Sequence, residues 1–512
     1  MKVNADLHLH SKYSMASSRK MELPTIAREA AKKGIELIGT ADCTHPKWLE
    51  DIKRASISEE EIRVGDIYFI PTTEIEDNRR VHHLLILPSI SKAEELAERL
   101  APVGNLEADG RPNVRLDGTE IAEIAKDLGA LIGPCHAFTP WTAIFGYHDN
   151  LKSCYGDLTD YISFIELGLS ADSDYADRIE ELHRLTFLTN SDAHSPSTNK
   201  LAREFTQFEV PEITFEGLKK AILREQGYKA TLNVGFFPEE GKYNRSACIK
   251  CFTQYSIQEA VENQWRCSIC GGVIKKGVVD RINELADFKE PRHPEHRPPY
   301  LHLIPLAEII QMALGHAGVQ TKGVQTTWNT LVEHFGNEVE ALIYAEPKDL
   351  EIVKNDRIVN AILAFRQGNV IIHPGGGGQY GWLELPENLK SENSLQDGQI
   401  SFSDLEKINI KKRNEEKEEI KPVKGTKDRK TKELEQQAKE IRKKAKLADK
   451  DLNGKKKKQA YNNAEQMKET INPNKKMNND IHEEIYREVR ETEKTEKEAP
   501  DNSNGQSSLF DF

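Results

Sequence analysis

Between Val3 and about Arg224, short apolar runs alternate with amphipathic stretches, and nearly every apolar run ends in an imidazole or a carboxylate. His8 and His10 close the first run, Val3–His10, at an i, i+2 spacing that puts both rings on one face of a strand. Asp42 ends Ile35–Asp42, Glu74 ends Ile67–Glu74 and His136 ends Ala130–His136. His83, with His82 beside it, opens the LLIL of Val81–Leu87; Glu166 lies in Tyr161–Leu167; Asp192 and His194 finish the run that starts at Thr186. The stretches between predict helices at Glu22–Lys33, Trp48–Ala55, Lys92–Leu100, Gly118–Leu128 and Tyr175–Leu185. This rhythm predicts a parallel α/β architecture, either a barrel or a doubly wound sheet. In both, sites assemble at the C-terminal ends of the strands. No GxGxxG follows the first strand, which weighs against a dinucleotide fold.

A single histidine at a strand end is ordinarily a surface residue. Nine residues at matching positions (His8, His10, Asp42, Glu74, His83, His136, Glu166, Asp192 and His194) read instead as a ligand set. Imidazole with carboxylate suits Zn, Mn or Fe(II). One metal takes about three or four protein ligands, so such a set suits two or three ions. Closely spaced divalent metals can hold a phosphate oxygen, activate water and stabilise a leaving oxygen, which is the chemistry of phosphoester hydrolysis.

The segments DLHLHSKYS, TAD, TTEIE, HHLLIL, GPCHAF and NSDAH resemble the motifs of the PHP (polymerase and histidinol phosphatase) family. The resemblance implies a distorted seven-stranded α/β barrel over residues 1–235 with up to three metals. It implies His8, His10, Glu74 and Asp192 at a first metal, where Asp192 and Glu74 with both histidines carry catalysis. Glu74 would bridge to a second metal with His83 and His136, leaving His82 as the alternative to His83. Asp42 and His194, with Glu166, match positions around a third. Many members have Asp-His where this chain has Asp42-Cys43, with His45 two residues on, and a frequent ligand position is Met15 here. The third site is therefore the least defined, and Asp42 and His45 remain alternatives.

Beyond the barrel, Cys248-x2-Cys251 and Cys267-x2-Cys270 are separated by 15 residues, the spacing of a structural zinc site with four thiolates. A module over 245–276 is expected, with Lys250, Arg266, Lys275 and Lys276 around it favouring phosphate contact. After a Pro/His/Arg linker at Pro291–Pro299, residues 295–392 read as a mainly helical DNA-contacting domain. Its loop Gly375, Gly376, Gly377, Gly378 permits close backbone approach, and Tyr380 beside it could stack on a base.

Residues 403–505 are rich in Lys and Glu and almost devoid of aromatics, a composition that predicts a flexible, disordered tail. Within it, residues 411–460 hold 20 Lys or Arg against 10 Asp or Glu, a local +10 in a chain of net charge −12, suited to nonspecific contact with DNA. The terminal QSSLF, within 506–512, resembles the peptide by which bacterial repair proteins bind the sliding clamp, with Gln506 as polar anchor and Leu509 and Phe510 filling an apolar pocket. No run approaches the roughly 20 apolar residues of a membrane span, and no secretory h-region opens the chain, so a cytoplasmic, nucleoid-associated protein is expected.

The order of barrel, four-cysteine module and helical block with a Gly-rich loop, over about residues 1–390, resembles the endonuclease Q family. That resemblance implies a DNA repair endonuclease that cuts 5′ to deaminated bases (uracil, hypoxanthine, xanthine) or abasic sites. The implied cofactors are two or three divalent metals (Zn, Mn or Mg) and one structural Zn, and the implied partners are damaged DNA and the sliding clamp. A small-molecule phosphatase of the histidinol-phosphatase kind fits the barrel, but leaves the other modules without a purpose. A non-catalytic scaffold fits Cys43 and Met15, but not a complete first metal set.

Overall fold

A computed structural model describes residues 1–386, all of them within one compact unit, Met1–Asn414. β1 (Lys2–Asp6) pairs in parallel with β2 (Leu37–Gly39); β3 (Ile62–Val64) and β4 (Ile67–Ile70) form a hairpin whose second strand pairs in parallel with β2. Pro71 has no N–H to continue the ladder. Beyond it β5 (Thr72–Glu76) opens a second sheet, antiparallel with β6 (His82–Ile86), itself antiparallel with β7 (Leu131–Pro134). β8 (Phe164–Glu166) and β9 (Thr186–Leu188) form a parallel pair. On the other side of β1 lies β10 (Phe205–Glu209), antiparallel to it, and then β11 (Lys229–Gly235), antiparallel to β10. The chain continues through the short pair β12 (Ala247–Cys248) and β13 (Ile274–Lys275), then β14 (Tyr300–His302), which adds in parallel to β11. A seven-stranded sheet results, ordered β14-β11-β10-β1-β2-β4-β3. The hairpin β15 (Ile371–His373) and β16 (Trp382–Glu384) follows.

The helices follow from local signals. α1 (Leu23–Lys33) carries Pro24 in its first turn and stops at Gly34, whose φ of 85° and N–H to the Ala30 and Ala31 carbonyls close the last turn. Its buried Leu23, Ile26, Ala27 and Ala30 recur at helical spacing. α2 (Pro46–Ala55) and α3 (Ile90–Leu100) follow, and α4 (Gly118–Asp127) opens with a capping box between Asp117 and Glu120.

Two expectations are corrected. The architecture is mixed rather than parallel, because β5–β6–β7 and β1–β10–β11 run antiparallel. The expected helix Tyr175–Leu185 is two short turns, Ser173–Ala176 and Glu180–Arg184. Between them Asp177 is buried, its carboxylate accepting from Arg297 Nε and Nη2, both at 2.9 Å, and from His293 Nδ1 at 2.8 Å. The Pro291–Pro299 segment is thereby pinned to the α/β body by a buried, hydrogen-bonded ion pair.

The ladders also end earlier than the apolar runs. β1 stops at Asp6, yet Leu9 still bridges Ala193 in parallel, with Asp192 N–H donating to the His8 carbonyl and His10 N–H to the Ala193 carbonyl, both at 2.9 Å. This interlock sets the segment after β1 beside the segment after β9. Among the described residues no helix is long and apolar enough to cross a membrane. The charged tail over 403–505 and the terminal peptide with Gln506, Leu509 and Phe510 lie outside the described residues.

Candidate metal centre

Glu74, in the middle of β5 and fully buried, stands at the centre of the cluster. Its Oε2 lies 3.3 Å from His10 Nε2 and 3.7 Å from His8 Nε2; its Oε1 lies 2.6 Å from His82 Nδ1 and 3.0 Å from His136 Nε2. One carboxylate thus faces two pairs of imidazoles with different oxygens. Asp192 closes the first pair, with Oδ1 at 3.1 Å from His10 Nε2 and 3.7 Å from both His8 Nε2 and His194 Nε2. His194 stacks on His10 with ring centroids 4.3 Å apart.

The outward ring nitrogens of His8, His10 and His82 are held by further acceptors. His8 Nδ1 meets Glu166 Oε2 at 2.8 Å, His10 Nδ1 meets Asp42 Oδ1 at 3.3 Å, and His82 Nε2 meets Glu76 Oε2 at 2.9 Å. A carboxylate behind an imidazole fixes its tautomer and orientation and strengthens it as a ligand. Glu166 and Asp42 therefore sit behind the histidines. Asp42 is fully occupied there, with Oδ2 accepting from Ser11 N at 2.7 Å and Ser14 Oγ at 2.8 Å. His45 occupies the position before α2, makes no capping bond with its side chain and stacks on Tyr13 at 4.3 Å. Met15 is exposed.

The expectation for His83 is corrected. Glu74 pairs with Leu84 and Glu76 with His82 across β5 and β6, so Glu74, Glu76 and His82 share one face. His83, opposite Ile75, projects to the other face, where Nδ1 meets the Tyr155 hydroxyl at 2.8 Å. His82 takes the place beside Glu74 and His136.

The backbone is strained where ligand candidates leave the strands. Asp42 (φ 40°), His136 (φ 27°) and Asp192 (φ 47°) all lie at positive φ, where non-glycine residues collect at functional sites.

Burial opposes charge on Glu74, yet His82, His8 and Arg111 hold its carboxyl well below the usual carboxylate range. Asp192 is likewise held low against burial by His10 and His8. Although burial opposes it, Glu166 and Glu74 raise His8, and Asp192, Asp42 and Glu74 raise His10, well above the ordinary imidazole value. The buried Nε2 atoms of His8 and His10 make no hydrogen bond while carboxylate oxygens stand 3.1 to 3.7 Å away. In His8 and His10, orphaned inward nitrogens among carboxylates with secured outward nitrogens are the donor set that divalent metals require.

Two members escaped the sequence. Glu76 orients His82, and its i+2 relation to Glu74 on one strand was the available signal. Arg111, from the loop before α4, brings Nη1 to 3.4 Å from Glu74 Oε2 and is held charged, against burial, by Glu74 and Asp109. Nothing local in sequence marks it.

Cys248, Cys251, Cys267 and Cys270 converge as expected, their sulfurs within 4.8 Å of one another. Cys251 lies 3.4 Å from Cys267 and from Cys270, and Cys248 3.5 Å from Cys270. Zn–S bonds of about 2.3 Å need sulfurs about 3.8 Å apart, so the group fits a tetrahedral zinc with small adjustment. Although burial raises it, the Cys267 thiol is brought down to about 6 by the Tyr255 hydroxyl and by the Cys270 and Ile269 N–H groups.

The glycine loop is divided. Gly375, Gly376 and Gly377 are buried against the chain's own backbone, where a Cβ would meet Gly381 N at 2.4 Å, Arg245 O at 2.8 Å and Cys248 O at 2.6 Å respectively. Their close approach is to the protein itself. Gly378 and Tyr380 are exposed.

Residues 305–369 match the family model of the MJ0043 C-terminal domain. MJ0043, an uncharacterised protein of Methanocaldococcus jannaschii, is 45% identical over 255 residues, 49% of this chain and 31% of that protein, so the match spans about a third of that curated relative's length. The crystal structure of the lesion-specific endonuclease PfuEndoQ from Pyrococcus furiosus is similar with a TM-score of 0.73 and 47% identity, covering 77% of this chain and 98% of that one. A crystal structure of Endonuclease Q with a 27-mer duplex substrate carrying an abasic lesion at the active site gives a TM-score of 0.73 and 46% identity, covering 78% of this chain and all of that one. By its identity to these structures over nearly their whole length, the chain belongs to the endonuclease Q family.

Proposed function

We propose that the protein is a metal-dependent DNA repair endonuclease that hydrolyses the phosphodiester 5′ to a deaminated base or an abasic site. The observation that carries this reading is Glu74, whose two oxygens face separate imidazole pairs inside a buried cluster. His8, His10, Glu74 and Asp192 would hold one divalent metal (Zn, Mn or Mg), Glu74, His82 and His136 a second, and His194 with Asp192 the edge of a third. Bound there, such ions would polarise the phosphate and activate water. Glu166, Asp42 and Glu76 hold the rings in place. Asp192, with its side chain 32% exposed, and Arg111, 28% exposed, face the open side, where Arg111 can hold a phosphate oxygen.

In this reading β1, β2, β4 with β5, β6, β7, β8 and β9 make the seven strands of a distorted barrel within residues 1–235. The cysteine module at 245–276 carries zinc, and 295–392 contacts DNA. The tail supplies nonspecific DNA affinity, and Gln506, Leu509 and Phe510 engage the sliding clamp.

The test compares duplexes bearing uracil, hypoxanthine, an abasic site or no lesion with a free phosphomonoester, in Mn or Mg. Nicking confined to the lesion strands is expected. Turnover of the monoester with every duplex left intact would instead establish a small-molecule phosphatase.

A further inference from the structure

Trp141 has the largest positive φ of any described non-glycine residue, 100°, and remains 39% exposed. A bulky side chain in that region is a steric outlier that its surroundings must enforce. The Trp141 carbonyl accepts from the Tyr147 hydroxyl at 2.6 Å, and the loop is tied to the metal centre. Trp141 lies five residues past His136, and the carbonyl of the next residue, Thr142, accepts from His82 N–H at 3.0 Å.

The ring is also met from outside the α/β body. Lys275, from the cysteine module, places Nζ 3.5 Å from the indole centroid, and Tyr243 stands edge-on at 6.3 Å. Lys242 lies 5.8 Å from the Tyr243 ring and 5.6 Å from the ring of Tyr380, itself 54% exposed. Lys275, Trp141, Tyr243, Lys242 and Tyr380 thus form a row in which two adjoining rings lie between ammonium groups and a third ring follows the second cation. Four segments contribute: the loop after His136, residues 242–243, the cysteine module and the exposed end of the glycine loop.

Packing alone would bury these rings. Trp141 and Tyr380 stay open beside cations with Tyr243 half-buried between them, the arrangement that holds a nucleic-acid strand, with rings stacking on bases and ammonium groups meeting phosphates. Bases inside a duplex offer their faces only to each other, so a ring can stack only on one that has left the helix.

We propose that the row formed by Trp141, Tyr243 and Tyr380 with Lys242 and Lys275 is a stacking surface for an unpaired base of the bound DNA, beside the bond that is cut. This rests on the endonuclease reading and assigns part of its substrate contact.

The test uses the full metal-loaded chain and a duplex with an abasic site, a nonhydrolysable linkage 5′ to it and 2-aminopurine at neighbouring positions. Glycine accepts the backbone of Trp141 without strain, so Trp141→Gly removes the ring without forcing the fold. Wild-type protein is expected to bind and to quench 2-aminopurine at one position. Trp141→Gly should bind roughly tenfold more weakly and lose the quenching, with unchanged melting temperature and metal content. Trp141→Phe should recover most of both, and Tyr380→Ala should share the loss. Binding and quenching that survive Trp141→Gly within twofold would overturn the proposal, as would a fall in melting temperature and metal content that accounts for the loss. Wild-type protein that binds neither damaged nor intact duplex would refute the endonuclease reading and this inference together, a result distinct from the other two.

Discussion

Glu74 and the two histidines at positions 82 and 83 show what single residues decide. Glu74→Gln removes the one carboxylate shared by both imidazole pairs, and loss of lesion-dependent nicking together with at least one bound metal is expected by element analysis. His82→Ala should likewise lower metal content. His83→Ala should keep it, while leaving the buried Tyr155 hydroxyl unpaired at a cost of about 1–3 kcal/mol of stability. Metal analysis and thermal melting of the two variants separate the roles. The sequence placed nine ligand candidates at strand ends but could not choose between His82 and His83, because neighbours on a strand face opposite sides and the choice depends on register. Only the pairing of Glu74 with Leu84 settles which side faces the centre. Asp42 and Glu166 were recognisable as part of the site but not as supports, since the imidazole nitrogen that a carboxylate meets is a matter of geometry. Glu76→Gln is expected to weaken metal affinity by roughly 10–100-fold without abolishing it, as removal of an orienting partner does.

At the scale of elements, the cysteine module was the most legible part, because two CxxC pairs at a 15-residue separation have few other uses. Cys251→Ser should release its zinc and lower the melting temperature, measured by zinc content and calorimetry; retention of zinc would contradict the four-thiolate site. Strand extents were less legible. Apolar runs continue past the ladders into the segments that carry ligands, and the break between Ser173–Ala176 and Glu180–Arg184 depends on Arg297, more than a hundred residues away. A buried acid just before β10 gives a pH prediction. Burial lifts Glu204 to about 8, next to Glu240, also near 8. The folded state holds that proton more tightly than the unfolded chain, so the stability it contributes is full below about pH 4.5 and is lost as pH rises toward 8. The loss is on the order of 5 kcal/mol at most. Thermal melting of Glu204→Gln should match wild type near pH 5 and exceed it near pH 9.

At the scale of the molecule, alternation of apolar and amphipathic segments was enough to indicate an α/β body with its site at strand ends. It was not enough to reveal β10, whose antiparallel partner β1 lies some two hundred residues earlier, or β11 on the far side of β10. Nor could it show that β14, at the head of the expected helical domain, joins the same sheet as β1. The central claim is that one buried cluster, organised on Glu74 and opening at Asp192, cuts DNA beside a lesion. The most direct measurement is single-turnover nicking of a duplex with one abasic site, with the break mapped to the nucleotide, by wild type, Asp192→Asn and Glu74→Gln at saturating Mn or Mg. The account predicts a break on the 5′ side of the lesion that leaves 3′-hydroxyl and 5′-phosphate ends, and that both variants abolish. Nicking that persists in both variants, or that ignores the lesion, would contradict it.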